Sequence, residues 1–169
     1  MRKICMADAS DKKEILNLYK MQLGREFCPW DDYYPAEKEI DFDLSRDALF
    51  IMRQYDKQGI ATGIIAAISI DDDAMVEKLD CWTDELKPGA ELARLAVHTD
   101  WQNQGIARKM LKYGMEELVR RGYKSVHFLV NKQNIKAIKS YEVLGFNIVG
   151  ECSLYEQPFL CYEKELKTF

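Results

Sequence analysis

At 169 residues the chain is long enough for one domain with a core of its own, and shorter than two domains of ordinary size. Hydrophobic residues make up 47% and charged residues 31%, which excludes wholesale disorder. A net charge of −4 excludes the strongly basic profile of a general nucleic-acid binder.

No apolar run approaches the roughly 20 residues of a bilayer-crossing helix, so no membrane partner is expected. Met1 to Asp8 is basic but has no apolar stretch behind it, so a secretory signal is not expected. Cys5, Cys28, Cys81, Cys152 and Cys161 are widely spaced and form no Cys-x-x-Cys pair. They read as reduced thiols of a cytoplasmic protein. The histidines, His98 and His127, have no close cysteine partner in sequence, so no metal is expected. Charge is unevenly placed: residues 26–91 carry 17 Asp/Glu against 6 Lys/Arg, and residues 101–140 carry 9 Lys/Arg against 2 Asp/Glu. Two solvated faces account for this. So does a groove with a basic wall for an anionic cofactor and an acidic wall for a cationic substrate.

In chain order, Ile4 to Ala7 reads as a strand. Ser10 offers an N-cap to a helix whose apolar stripe is Ile15, Leu16, Leu18, Tyr19 and Leu23. Residues 24–36 hold Pro29, Pro35, Trp30, Tyr33 and Tyr34, the makings of an ordered loop, and Pro35 can open a second helix reaching about Leu44. Ala48–Met52, the turn Asp56–Gly59 and Thr62–Ile70 form a hairpin signal. Residues 71–90 are acidic and end in the turn Lys87-Pro88-Gly89. Glu91 to His98 is a strand, and a helical period runs from Gly105 to a basic stop at Arg120-Arg121-Gly122. Lys124–Val130 is a strand, Asn134–Leu144 a helix, and Phe146–Val149 and Leu160–Leu166 closing strands. This order predicts a single α/β domain over 1–169: a mixed, mostly antiparallel central sheet of six to seven strands flanked by about four helices.

The stretch from Leu95 to Arg108 runs from strand through a short turn into a helix. The first amides of a helix lack internal partners and carry the positive end of its dipole, so such a turn can hold an anion. Gly105 and Ala107 let a phosphate approach the backbone. A glycine easing a tight turn explains the same residues. The nucleotide-triphosphate loop is absent, since no Gly-x-x-x-x-Gly-Lys-Ser/Thr run occurs, and no third glycine completes a dinucleotide fingerprint.

Gln102-x-x-Gly105-x-Ala107, following Leu95-Ala96-Val97, resembles the acyl-CoA loop of the GNAT superfamily of N-acetyltransferases, in which Arg or Gln is followed by two residues, Gly, one residue, and Gly or Ala. Asn134-Ile135-Lys136-Ala137-Ile138-Lys139-Ser140-Tyr141-Glu142-Val143-Leu144-Gly145-Phe146 resembles its Asn-x-x-Ala-x-x-x-Tyr-x-x-x-Gly-Phe signature. The likeness covers about Glu91 to Leu166 well and the first ninety residues in element order alone. Gln102 stands where arginine is commoner, which removes a cation from the phosphate loop; Arg108 and Lys109 are nearby in sequence.

The resemblance implies that acetyl-CoA is the co-substrate. The segment Gln102, Asn103, Gln104, Gly105, Ile106, Ala107 and Arg108 would take its pyrophosphate, and the backbone of Leu95, Ala96 and Val97 its pantetheine arm. Asn134 would bond the arm or cap its helix. Tyr141 would donate to the departing thiolate, or simply pack as a helix aromatic. For the residues that meet the acceptor the sequence leaves alternatives. Glu91 is a general-base candidate at the start of the cofactor strand or an exposed strand-end charge; Glu26, Glu37 and Asp80 are weaker candidates, and His98 reads as structural. Trp30, Tyr33 and Tyr34, with Asp31, form an acceptor wall or pack the helices. The expected activity is direct acetyl transfer from acetyl-CoA to a small-molecule or peptide amine in a ternary complex. A non-catalytic acyl-CoA-binding regulatory or interaction module is the alternative. The family's assemblies include homodimers.

Overall fold

The computed structural model describes residues 1–167; Thr168 and Phe169, the end of the expected domain, lie outside the described residues. Seven strands order as β1-β2-β3-β4-β5-β7-β6 in one sheet. They are β1 (Arg2–Met6), β2 (Leu49–Tyr55), β3 (Ala61–Asp71), β4 (Gly89–Val97), β5 (Ser125–Asn131), β6 (Asn147–Leu154) and β7 (Gln157–Glu165). The α-helices are α1 (Lys12–Lys20), α2 (Glu37–Ser45), α3 (Ala74–Glu77), α4 (Ile106–Arg120) and α5 (Ile135–Val143). The expected mixed sheet is present: β1–β2, β2–β3, β5–β7 and β6–β7 are antiparallel, and β4–β5 is parallel. No helix among the described residues is long and apolar enough to cross a membrane.

Two local readings change. Asp8, not Ser10, caps the turn that leads into α1: its carboxylate accepts from the Ser10 backbone N–H at 2.8 Å, while Asp11 accepts from the Asp8 N–H at 3.0 Å. The acidic stretch 71–90 contains α3, started by the Asp73 carboxylate accepting from Met75 N–H at 2.9 Å. One helical turn has no periodicity for a pattern to reveal.

The chain divides into two compact units, Met1–Ile70 with Leu92–Gly114, and Asp71–Glu91 with Met115–Phe169. In the first, α1 and α2 bury Ile15, Leu18, Tyr19 and Ile40 with Leu49, Ile51, Ile64, Ala67 and Ala96 of the strands. The middle of α4 comes close to the sheet at Gly114, where a Cβ would stand 3.0 Å from a Leu92 methyl. A buried charge cluster sits in the same unit. Asp43 of α2 is fully buried, and each of its oxygens takes two donors. Oδ1 accepts from Arg94 Nη2 at 2.7 Å and Arg46 Nη2 at 2.8 Å, and Oδ2 from Arg94 Nε at 3.1 Å and Ser69 Oγ at 2.7 Å. Arg94 is itself buried and holds a left-handed backbone (φ 50°) within β4. Such a conformation costs a non-glycine residue about 1–3 kcal/mol and persists only where the surroundings over-determine it. The bidentate pair to Asp43 is that constraint.

In the second unit, Val76, Trp82 and Cys161 form a core with Leu79, Cys81, Leu129, Val149, Cys152 and Leu154 against them. His127 meets Glu77 at 2.7 Å and stacks on Trp82 at 4.4 Å between ring centroids. Glu163 of β7 accepts from Thr83 N–H at 3.0 Å and Thr83 Oγ1 at 2.6 Å, which ties the acidic stretch to the strand.

Removing one partner of a buried ion pair strands the other, at a cost of about 3–5 kcal/mol. Asp43→Ala is therefore expected to lower unfolding stability by about that much, read from the denaturant midpoint, and Arg46→Ala, which leaves the Arg94 pair intact, by much less.

Candidate active site

Beyond Val97 the chain makes a single 3-10 turn, Thr99–Trp101, before the loop that opens α4. His98 Nδ1 accepts from Asp100 N–H at 3.1 Å, capping that turn, and the His98 backbone N–H donates to Ile65 O at 2.8 Å. Asn103 (φ 59°) and Gly105 (φ 74°) both take left-handed backbone, so the loop reverses sharply before the helix. At Gly105 it is this φ, rather than lack of space, that calls for glycine; a Cβ there would meet nothing within 4 Å. The first helical bond runs from Lys109 N–H to Gly105 O at 3.2 Å. The N–H groups of Ile106, Ala107 and Arg108 thus precede the ladder and have no acceptor within the helix. They open the fifteen-residue α4, whose dipole has its positive end at this loop.

The side chain of Gln102 turns back onto β4. Its Nε2 donates to Val97 O at 3.2 Å, and Gln22 Nε2 of the segment after α1 donates to the same carbonyl at 2.9 Å. The Val97 carbonyl is thereby occupied, so an incoming arm would find the strand's other backbone groups. Arg25 bridges the two glutamines, donating from Nη1 to Gln22 Oε1 at 3.0 Å and from Nη2 to Gln102 Oε1. Arg2 reaches the same loop from β1, donating to Gln104 Oε1 at 3.1 Å with its guanidinium over the Trp101 ring. Arg108 and Lys109 are exposed on the first turn of α4.

In the aromatic loop, Trp30 packs edge-on against Tyr19 at 5.6 Å and adds to the core, as the helix-packing reading has it. Tyr33 is 84% exposed. Asp31 Oδ1 accepts from the Tyr33 and Tyr34 N–H groups at 2.8 and 3.0 Å, so this carboxylate shapes the loop. The Tyr34 hydroxyl accepts from Arg94 Nη1 at 3.1 Å, which ties the loop to β4 through the buried pair.

In the second unit, Asn134 caps α5, its Oδ1 accepting from Ala137 N–H at 3.2 Å. Tyr141 lies among Phe128, Phe146 and Tyr162, with ring centroids 4.5, 5.9 and 6.0 Å away. Burial first, and then Tyr162, push its phenol up to about 12. Glu91 is buried and not an exposed strand end; it lies in the three-pair ladder of β4 with β5, opposite His127. Tyr155, in the β6–β7 turn, donates to Asp73 Oδ2 at 2.7 Å. That bond, then burial, then the negative charges of Asp73, Glu91 and Asp71 raise its phenol to about 12. A phenol and three carboxylates thus share one region of this unit. Glu26, Glu37 and Asp80 are exposed, and Glu37 is 3.7 Å from Lys12. The motif reading missed Tyr155, Asp73, Arg25 and the Asp43–Arg94 pair. For Arg94 a signal existed, since an arginine between the apolar residues Leu92 and Ala96 of a strand requires a buried anion.

Comparison with known proteins agrees with this geometry. The model of the acetyltransferase (GNAT) family matches residues 14–146, and the chain belongs to that family. It is 41% identical over 58 residues to the [ribosomal protein bS18]-alanine N-acetyltransferase of Escherichia coli strain K12, a match spanning 34% of this chain and 39% of that protein. It is 32% identical over 101 residues to the N-acetylaspartate synthetase of Danio rerio, spanning 60% of this chain and 31% of that protein. The chain thus spans well under half the length of these curated relatives. The crystal structure of the E. coli ribosomal-protein-S18-alanine N-acetyltransferase superposes with a TM-score of 0.73 at 20% identity, covering 100% of this chain and 96% of that one. The structure of yncA from Salmonella typhimurium, with its cofactor acetyl-CoA, gives 0.69 at 17% identity, covering 100% and 96%. Both share the fold.

The raised phenols generate a pH prediction. Unfolded tyrosines ionise near 10, whereas folded Tyr141 keeps its proton to about 12. The unfolded chain therefore binds fewer protons in this window, and stability falls as pH rises from 10 toward 12. Thermal melts between pH 9 and 11.5 are expected to decline less steeply in Tyr141→Phe than in the wild type.

Proposed function

We propose that the chain transfers the acetyl group of acetyl-CoA to a primary amine by direct attack in a ternary complex. The observation that carries this reading is the strand–turn–helix at Val97–Ile106: two left-handed residues turn the chain so that the opening amides of a long helix precede its ladder. In a GNAT chain, that loop suits the diphosphate of coenzyme A. Gln102, Asn103, Gln104, Gly105, Ile106, Ala107 and Arg108 form the cradle in this reading, and its force is main-chain hydrogen bonding to an anion.

The pantetheine arm uses backbone groups of Leu95, Ala96 and Val97, leaving out the Val97 carbonyl already held by Gln22 and Gln102. The Asn134 side-chain amide adds a donor, its oxygen being committed to the cap. The amine nitrogen attacks the thioester carbonyl, and a strand amide steadies the oxyanion. Glu91, directly or through a water, takes the ammonium proton of the adduct. The carbon–sulfur bond then breaks. A phenol near 12 is a poor source of a free proton for a thiol whose ordinary value is about 8.5. Tyr141 therefore acts as a hydrogen-bond donor to the developing thiolate, which leaves as coenzyme A after taking a proton from solvent.

The acceptor arrives as a cationic amine and gives one proton to solvent before its neutral nitrogen attacks; Glu91 takes the second, from the tetrahedral adduct. Asp71, Asp73, Glu91 and Tyr155 attract the arriving cation. The names of the relatives, a [ribosomal protein bS18]-alanine N-acetyltransferase and an N-acetylaspartate synthetase, support the α-amine of an amino acid or peptide as the first class to try.

The test is thiol release from acetyl-CoA against a panel of peptide and small-molecule amines. Turnover with at least one amine is expected, while binding without turnover across the panel contradicts the reading. Tyr141→Phe is expected to lower kcat about 10- to 100-fold, the worth of one hydrogen bond to a charged atom, with KM for acetyl-CoA unchanged.

A further inference from the structure

The family's commoner arginine is absent from the first position of the phosphate loop, where this chain has Gln102. The structure assigns its replacement: we propose that Arg25, on the segment between α1 and α2, is the cation of the diphosphate site. This rests on the acetyl-CoA reading above and adds a residue that neither motif contains.

Three observations carry it. Arg25 sits directly on the loop, one guanidinium nitrogen donating to Gln102 Oε1 and the other to Gln22 Oε1 at 3.0 Å. Those two bonds use two of its five N–H groups, and among the described residues the other three have no protein acceptor; the side chain is exposed. The charge is thus anchored at the loop, and its planar fork retains donors for the oxygens of an anionic partner, which is what makes arginine a phosphate ligand. Finally, Arg2, the other arginine that bonds a side chain of the loop, is already shared between two glutamines and a ring. Arg2 lies over the Trp101 ring at 4.8 Å and donates to both Gln54 at 3.3 Å and Gln104 at 3.1 Å.

The same two glutamines that hold Arg25 donate to Val97 O. Arg25 therefore belongs to a chain of bonds that joins the end of β4 to the start of the phosphate loop. A purely structural role through that chain and a phosphate-binding role make different predictions. A structural role would affect any ligand lying along β4. A phosphate role affects those that carry the diphosphate.

The experiment compares wild type, Arg25→Ala and Arg25→Lys in calorimetric titrations with acetyl-CoA at low and moderate salt, and with S-acetylpantetheine, which lacks phosphate. Melting temperatures establish that each variant folds. Arg25→Ala is expected to weaken acetyl-CoA binding about 10- to 100-fold, to flatten its salt dependence, and to leave S-acetylpantetheine binding unchanged. Arg25→Lys should recover part of the loss by charge alone. Equal losses for both ligands, or undiminished acetyl-CoA binding, overturn the assignment while leaving the acetyl-CoA reading in place. Absence of acetyl-CoA binding by the wild type overturns that reading and the assignment with it.

Discussion

The buried bidentate pair between Arg94 and Asp43 is the constraint on which the geometry of the first unit depends. A left-handed arginine in a strand is unfavourable. Asp43 offsets this cost because both of its oxygens are fully used, by Arg94, Arg46 and Ser69. Desolvating so many polar groups gives little net stability relative to an apolar core. What the cluster provides is position. It fixes β4 one residue before Leu95–Val97 and, through Tyr34, holds the aromatic loop against the same strand.

From that fixed point the chain builds a turn whose main-chain N–H groups suit an anion. Val97 ends β4 with its carbonyl clamped by Gln22 and Gln102, His98 caps the next turn, and left-handed Asn103 and Gly105 bring the chain into α4. Each step is a local hydrogen bond or a backbone preference. Together they orient helix amides that no side chain of the helix itself satisfies. Arginines from β1 and from the segment after α1 surround this loop, although the chain as a whole is acidic. The segregation of charge along the sequence therefore understates how basic the loop is, since its nearest cations come from distant positions.

Much of the fold was legible in the residues. The hairpin over 48–70, the apolar period from Ile106 and the alternation through Leu95–Val97 each yield an element within a few positions of its expected place, because in each the buried face alone sets the pattern. The turn at Gly105 and the start of the helix at Asn134 were legible as well, because a left-handed glycine and an N-capping asparagine are tied to backbone geometry. The illegible parts are contacts between distant segments. Arg94 with Asp43 spans 51 positions, Arg25 with Gln102 spans 77, and Tyr155 with Asp73 spans 82. No local pattern encodes those pairings, although a charged residue in a buried strand position signals that some partner exists. Glu91 shows the same limit: its burial depends on the sheet around it and not on its neighbours in sequence.

The central claim is that main-chain nitrogens at the start of α4 grip the cofactor's anionic end. Amide-resolved NMR of the wild-type chain, titrated with coenzyme A, tests it directly. The account predicts large, saturable downfield shifts and slowed exchange at the Gly105, Ile106, Ala107 and Arg108 amides, among the strongest in the spectrum. Saturable binding that leaves those four signals in place, while perturbing amides elsewhere, would contradict it.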